Sequence, residues 1–122
     1  MEDLYHEELL EAARSPHNRG QLADANLVSP PVTNSCGDSC RIFLKLSDDK
    51  TTIITCAWEG IGCAISTASL SLLSDRVKGV PITEIQTWDD ATLWSWFGFE
   101  TFSVARRKCL LLGLQAVQKL LQ

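Results

Sequence analysis

The alternation of apolar and polar residues predicts three strands in the first half of the chain. Every second residue in segment 40–46 is apolar, and a β-branched run, 51–58, follows a short polar turn. A period of two places one set of side chains on one face of a strand. Upstream, segment 25–35 favours extended structure but contains Pro30 and Pro31, which restricts it to a sheet edge or an irregular strand. We expect one face of the 51–58 strand to carry Ile54, Cys56 and Trp58.

Helical spacing dominates the rest of the chain. Short helices are predicted over residues 4–14 and 87–98, and longer ones over 64–78 and 103–121. We expect the segment between residues 81 and 87 to be a connector. The order α-β-β-β-α-α-α predicts an α+β fold, in which helices pack on one face of a small three-stranded antiparallel sheet. Residues 1–122 are expected to form one domain. The apolar stripe of the last helix is expected to be Leu110, Leu114, Val117 and Leu121.

Composition and charge narrow the functional classes. The 122 residues carry a formal net charge of −4, whereas a general nucleic-acid-binding domain usually has a basic surface. No apolar run approaches the ~20 residues of a membrane span. The first eight residues are acidic and lack the apolar core of a secretory signal. We therefore expect a cytoplasmic protein that binds neither nucleic acid nor membrane.

The five cysteines carry the most chemical information. Their odd number and the lack of a Cys-x-x-Cys pair favour free thiols in a reducing compartment. Cys36 lies in a predicted turn, Cys63 at a strand-to-helix junction, and Cys109 in the first turns of the last helix. With Asp38 they make four donors, the number needed by tetrahedral zinc or a [2Fe–2S] centre. Spacing alone equally allows each cysteine to be a plain thiol and Asp38 to be a turn former.

Several segments together resemble one protein family. They are Asn-Ser-Cys-Gly-Asp at 34–38, Trp-Glu-Gly-Ile-Gly-Cys-Ala-Ile-Ser at 58–66, and Ala-Arg-Arg-Lys-Cys at 105–109. The chain resembles, from about residue 5 to residue 121, the U-type iron–sulfur cluster assembly proteins IscU, SufU and the N-terminal domain of NifU. The resemblance implies an α+β fold, and it implies that the metal ligands are Cys36, Asp38, Cys63 and Cys109.

The resemblance also implies a function. Members of this family accept sulfur from a cysteine desulfurase, assemble a [2Fe–2S] cluster transiently and pass it to carrier or acceptor proteins, so that they act as scaffolds rather than enzymes. The SufU branch instead binds zinc and relays sulfur. Lys108 stands where IscU-like members have histidine, which favours SufU, whereas the short spacing between Cys63 and Cys109 favours IscU. Three alternatives stay open: a cluster scaffold, a zinc-dependent sulfurtransferase partner of the desulfurase, and a domain with a purely structural zinc site.

The cations before Cys109 suggest which thiol accepts sulfur. Arg106 and Lys108 stand near the start of a helix, where the helix dipole disfavours positive charge. Our hypothesis is that Arg106 or Lys108 lowers the pKa of Cys109 and helps to guide a persulfide to it. Cys109 is then the expected sulfur acceptor. The alternative is that the basic residues merely form a solvated helical turn.

Overall fold

The computed structural model describes residues 9–97 and 104–122. Residues 4–8 of the first predicted helix, and the predicted boundaries at 98 and 103, lie outside these residues. Within the described chain, residues 9–14 are helical and are called α1. The other elements are β1 (Leu27–Val28), β2 (Val32–Thr33), β3 (Ser39–Leu46), β4 (Ile53–Ile61), α2 (Ala64–Arg76), α3 (Ile82–Ile85), α4 (Asp90–Phe97) and α5 (Val104–Leu120).

The sheet is antiparallel and has β3 at its centre. Strand β4 pairs along the whole length of β3, while β1 and β2 both pair with its other edge. The predicted edge strand is therefore present but divided in two, because the two prolines between its halves cannot donate ladder hydrogen bonds. Ser29 bridges the break, since its N–H donates to the carbonyl of Ile42 and its Oγ accepts from the N–H of Ile42. The predicted α+β class with a small antiparallel sheet is confirmed.

A β-bulge changes which side chains of β4 face the core. The register shifts between Lys45 and Leu46, so that Leu46 pairs with Ile53 and Lys45 with Thr55. The residue between them, Ile54, points outward and is 49% exposed, whereas Ile53 is buried. The prediction that Ile54 shares a face with Cys56 and Trp58 was therefore wrong, because a bulge reverses the alternation locally.

Helices α2 and α5 pack on each other and on the sheet, with α5 against β3 and α2 against β4. Gly113 permits the close crossing of the two helices, since a Cβ atom there would lie 2.6 Å from Cδ2 of Leu70. The Oγ of Ser69 donates to the carbonyl of Leu110 at the same crossing. The expected connector contains one helical turn, α3, whose Ile85 is buried. No helix in the described ranges is long and apolar enough to cross a membrane.

Candidate metal centre

Three predicted ligands converge on one point although they come from three different elements. Asp38 ends the turn before β3, Cys63 immediately precedes α2, and Cys109 lies in the second turn of α5. One carboxylate oxygen and the two Sγ atoms all lie within 4.8 Å of one another. The fourth predicted ligand, Cys36, is exposed and is not in this group.

The turn that carries Cys36 is built around Asn34. Its Oδ1 accepts hydrogen bonds from the backbone N–H groups of Cys36, at 3.0 Å, and Asp38, at 3.1 Å. Such bonds from a short amide side chain to the following backbone are typical of an Asx turn. Gly37 has a φ of +90°, a conformation that glycine adopts without steric cost. The turn therefore places the Cys36 thiol in solvent and directs Asp38 inward.

Asp38 is only 4% exposed, but both of its oxygens have partners. Oδ1 accepts from the backbone N–H of Cys63 at 3.0 Å, and Oδ2 accepts from Nδ2 of Asn34 at 2.9 Å. Burial on its own would raise the pKa of Asp38, but the hydrogen bonds from Asn34 and Cys63 outweigh it and lower the pKa. The side chain is therefore held as a carboxylate, the form that binds a metal ion.

Cys63 is the N-cap residue of α2, and its thiol is exposed. Burial opposes ionisation of Cys63, yet hydrogen bonds from the backbone and side chain of Ser66 help to lower its pKa. Gly62 allows this packing, because a Cβ atom there would lie 2.2 Å from Oγ of Ser66 and 2.7 Å from Oδ1 of Asp38. The roles of Asn34, Gly62 and Ser66 were not predicted from the sequence. The signal in the sequence was the density of turn-forming residues in segment 34–39, which predicted a turn.

Cys109 does not have the electrostatic environment that the sequence suggested. It is 8% exposed, and burial together with the nearby Cys63 and Asp38 raises its pKa. The Lys108 ammonium points to the Cys36 turn, where Nζ donates to Oγ of Ser35 at 2.8 Å. The pKa of Cys109 is therefore raised, whereas the hypothesis expected it to be lowered. The expectations that Cys109 accepts sulfur, and that Arg106 and Lys108 guide it, stay predictions.

The convergent donors fit a small thiophilic metal ion. In a tetrahedral zinc site with Zn–S bonds of about 2.3 Å, neighbouring donors lie roughly 3.5–3.8 Å apart. Small side-chain rotations bring atoms within 4.8 Å to that separation. Two sulfurs and one carboxylate oxygen make a mixed soft and hard donor set, which suits zinc and binds an iron–sulfur cluster less tightly than thiolates alone. The residues that would hold a zinc ion or a cluster are Asp38, Cys63 and Cys109. Cys36 lies nearby, on the same turn as Asp38.

The fold and the site define a small α+β domain with a candidate metal centre lined by cysteine and aspartate, and sequence comparison identifies its family. The family described as "NifU-like N terminal domain" matches residues 4–121. The chain belongs to this family, and the resemblance seen in the sequence is confirmed.

Curated relatives include both branches of the family. An iron–sulfur cluster assembly scaffold protein IscU from Thermotoga maritima is 38% identical over 82 residues, which cover 67% of this chain and 56% of the relative. A zinc-dependent sulfurtransferase SufU from Bacillus subtilis is 34% identical over 83 residues, which cover 67% of this chain and 54% of the relative. The chain thus spans about half the length of these relatives.

Solved structures agree with the fold along nearly the whole chain. The N-terminal domain of a NifU-like protein from Brucella abortus has a TM-score of 0.77 at 26% identity, covering 98% of this chain and 92% of its own. FiSufU from Fervidobacterium islandicum AW-1 also has a TM-score of 0.77, at 21% identity, covering 95% of each chain. At 21% identity, the similarity to FiSufU is evidence of fold alone.

Proposed function

We propose that the protein is an iron–sulfur cluster assembly scaffold, which accepts sulfur from a cysteine desulfurase and holds a [2Fe–2S] cluster for transfer to acceptor proteins. The observation that carries the proposal is the convergence of Asp38, Cys63 and Cys109, with the thiol of Cys36 exposed two residues from Asp38. Membership of a family whose curated relatives include IscU supports the same conclusion. The partners we propose are a cysteine desulfurase and downstream cluster carriers, in a reducing cytoplasm.

Accessibility suggests an order of events at the thiols. We infer that Cys36 receives sulfur before Cys109, because Cys36 is exposed whereas Cys109 is nearly buried. The Cys36 thiolate attacks the outer sulfur of the desulfurase persulfide, the S–S bond of that persulfide breaks, and the desulfurase cysteine leaves as a thiolate. The persulfide then on Cys36 lies on the turn that also carries Asp38. Cys109 is the alternative acceptor, and the two are separable by experiment.

The second candidate is a zinc-dependent sulfurtransferase that stimulates the desulfurase without building a cluster. The favouring observation is that three donors surround a single point, which suits one ion. The relative from Bacillus subtilis carries this description. In this case the bound zinc would hold the thiols in their ionised form, and the same exposed Cys36 would meet the incoming sulfur.

A purely structural zinc site is the third alternative, and the geometry favours it least. Structural zinc sites have all four ligands in place and are closed. Here Cys36 and Cys63 are both exposed, and the hydrophobic core joins the sheet to α2 and α5 through many other residues. We therefore expect the zinc-free protein to keep its far-UV circular dichroism spectrum and its cooperative thermal unfolding after chelation. Loss of the fold on chelation would instead support a structural site.

The scaffold proposal is tested by anaerobic reconstitution. Protein is incubated with a cysteine desulfurase, cysteine and Fe²⁺, and is then analysed by visible absorption and native mass spectrometry. We expect bound iron and sulfide in wild type and their loss in Cys36→Ser, Cys63→Ser and Cys109→Ser. Cys56→Ala is the matched control, because it removes a thiol buried in the core rather than at the site. Cluster formation that survives all three serine substitutions would refute the proposal.

The same variants separate the alternatives. If zinc-loaded protein accelerates cysteine turnover by the desulfurase but never acquires sulfide, the sulfurtransferase is the correct function. Mass analysis of the protein after incubation with desulfurase and cysteine alone locates the added sulfur. We expect it on Cys36, so that Cys36→Ser abolishes labelling while Cys109→Ser retains it. The reverse pattern would establish Cys109 as the acceptor.

A further inference from the structure

The amide group of Asn34 makes two kinds of hydrogen bond at the site. Its oxygen accepts from two backbone N–H groups and so forms the turn around Cys36. Its nitrogen donates to Oδ2 of Asp38 at 2.9 Å and to the carbonyl of Lys108 at 3.3 Å. The first pair shapes the turn, and the second pair fixes a predicted ligand and joins the turn to α5.

The contacts of Asp38 show why the two hydrogen bonds donated by the Asn34 nitrogen matter. A carboxylate has about four lone-pair positions, so that hydrogen bonds at both oxygens leave room for a metal ion. The N–H of Cys63 restrains Oδ1, while Asn34 is the residue that restrains Oδ2 among the hydrogen bonds described. The side chains of Cys109 and Ser66 also hydrogen-bond to this carboxylate, so loss of the Asn34 donor removes the restraint on Asp38 that comes from the turn. Partners of ligating carboxylates usually orient the ligand in this way.

We propose that Asn34 is the positioning residue for Asp38: by donating to Oδ2 of Asp38 and to the carbonyl of Lys108, it holds this carboxylate facing Cys63 and Cys109 and thereby sets the affinity of the site for a metal ion. The inference rests on the proposed function only in requiring that these residues bind metal. It assigns to Asn34 a role in retaining the metal that differs from its role in forming the turn.

Asn34→Ser separates the two roles. A serine hydroxyl still accepts a hydrogen bond from a backbone N–H two residues on, as in an ST turn, but it is too short to reach both Oδ2 of Asp38 and the carbonyl of Lys108. The matched control is Asn26→Ser. Oδ1 of Asn26 likewise accepts a backbone N–H, from Leu46 at 2.6 Å, at the opposite end of β3 from Asp38.

Zinc and cobalt are the probes. Zinc affinity is measured by competition with a chromophoric chelator, and bound Co²⁺ reports coordination through its visible d–d bands. We expect Asn34→Ser to weaken zinc binding by about tenfold or more, the usual effect of losing a partner of a metal ligand. We also expect weaker d–d bands, because a misdirected carboxylate is replaced by water. Asn26→Ser should match wild type in both measurements.

A double-mutant cycle with Asp38→Ala decides how Asn34 acts. If Asn34 works through Asp38, Asn34→Ser causes no further loss of zinc affinity in the Asp38→Ala background. An equal loss in both backgrounds would overturn the inference, because Asn34 would then act through the turn alone. Wild-type affinity in Asn34→Ser would overturn it as well, while leaving the proposed function intact. Failure of the wild-type chain to bind either ion would refute the proposed function and this inference together.

Discussion

Gly62→Ala is expected to disable the metal centre, because this glycine lies where Asp38 and Ser66 meet. The added Cβ would lie 2.2 Å from Oγ of Ser66 and 2.7 Å from Oδ1 of Asp38, whereas ordinary contacts begin at 3.4 Å. Both side chains must therefore give way, Ser66 by roughly 1.2 Å and Asp38 by roughly 0.7 Å, and overpacking of this kind costs about 1–3 kcal/mol of the free energy of unfolding. Because Asp38 is displaced, zinc affinity should fall by about 10- to 100-fold.

The assay measures stability and metal affinity separately. Urea unfolding of the zinc-free protein gives the free energy of unfolding, and chelator competition gives the zinc affinity. Gly113→Ala is the matched control, because its Cβ would also be crowded, at 2.6 Å from Cδ2 of Leu70, but at the crossing of α2 and α5. We expect Gly113→Ala to reduce stability while it leaves zinc affinity within about twofold of wild type.

Removal of the Ser66 hydroxyl, the atom nearest to the added Cβ, provides a further check. In the double variant Gly62→Ala/Ser66→Ala, the 2.2 Å contact disappears and the contact with Asp38 remains. Stability should therefore recover in part, while zinc affinity should stay low. If Gly62→Ala binds zinc as tightly as wild type and unfolds at the same urea concentration, the close packing of Gly62 against Asp38 does not control the site, and this reasoning is refuted.

Two further predictions concern groups away from the metal centre. Burial would raise the pKa of Asp75, but hydrogen bonds from His17 and Asn18 outweigh it and lower the pKa below the usual 3.8. The stabilisation is therefore present above pH 3.8 and is lost as the pH falls through the lower folded value. Asp75→Asn should lose roughly 1 kcal/mol or less of the free energy of unfolding at pH 6 and converge with wild type in acid, as urea titrations at both pH values would show. Burial raises the pKa of Cys56 to about 12, so at pH 8 iodoacetamide should modify Cys56 only after unfolding; its alkylation in the folded protein, detected by mass spectrometry, would contradict this.

The fold could be predicted from the sequence because its signals are local. Alternating residues in β3 and the apolar stripe of α5 each occupy a short window. The alternation in β3 is confirmed, as are Leu110, Leu114 and Val117 of the stripe, whereas Leu121 lies just after α5 and is half-buried. The wrong prediction for Ile54 in β4 has a physical cause. Ile53 and Ile54 are both apolar and β-branched, so composition does not indicate which of them faces the core. The bulge opposite Lys45 and Leu46 determines that Ile53 rather than Ile54 faces the core, and a bulge depends on pairing between strands.

The sequence predicted three residues that converge at the candidate site, Asp38, Cys63 and Cys109, but not the electrostatics around them. Cys109 follows three cations in the sequence, which suggested a lowered pKa. In the fold, Lys108 turns toward Ser35, and the groups around the Cys109 thiol are Cys63 and Asp38, which raise the pKa. Sequence neighbours on a helix point in different directions, since successive residues differ by about 100°. The pKa therefore depends on residues that are distant in sequence.

The three convergent donors are also joined to one another by hydrogen bonds of the protein itself. The N–H of Cys63 donates to Asp38, and Asn34 links Asp38 to the carbonyl of Lys108 beside Cys109. These hydrogen bonds hold the turn, α2 and α5 together at this point. The exposed thiols at the site are those of Cys36, on the turn, and Cys63, before α2, whereas Cys109 is nearly buried. A set of donors held by hydrogen bonds beside two exposed thiols suits the proposed function, in which the protein receives, holds and releases its cargo.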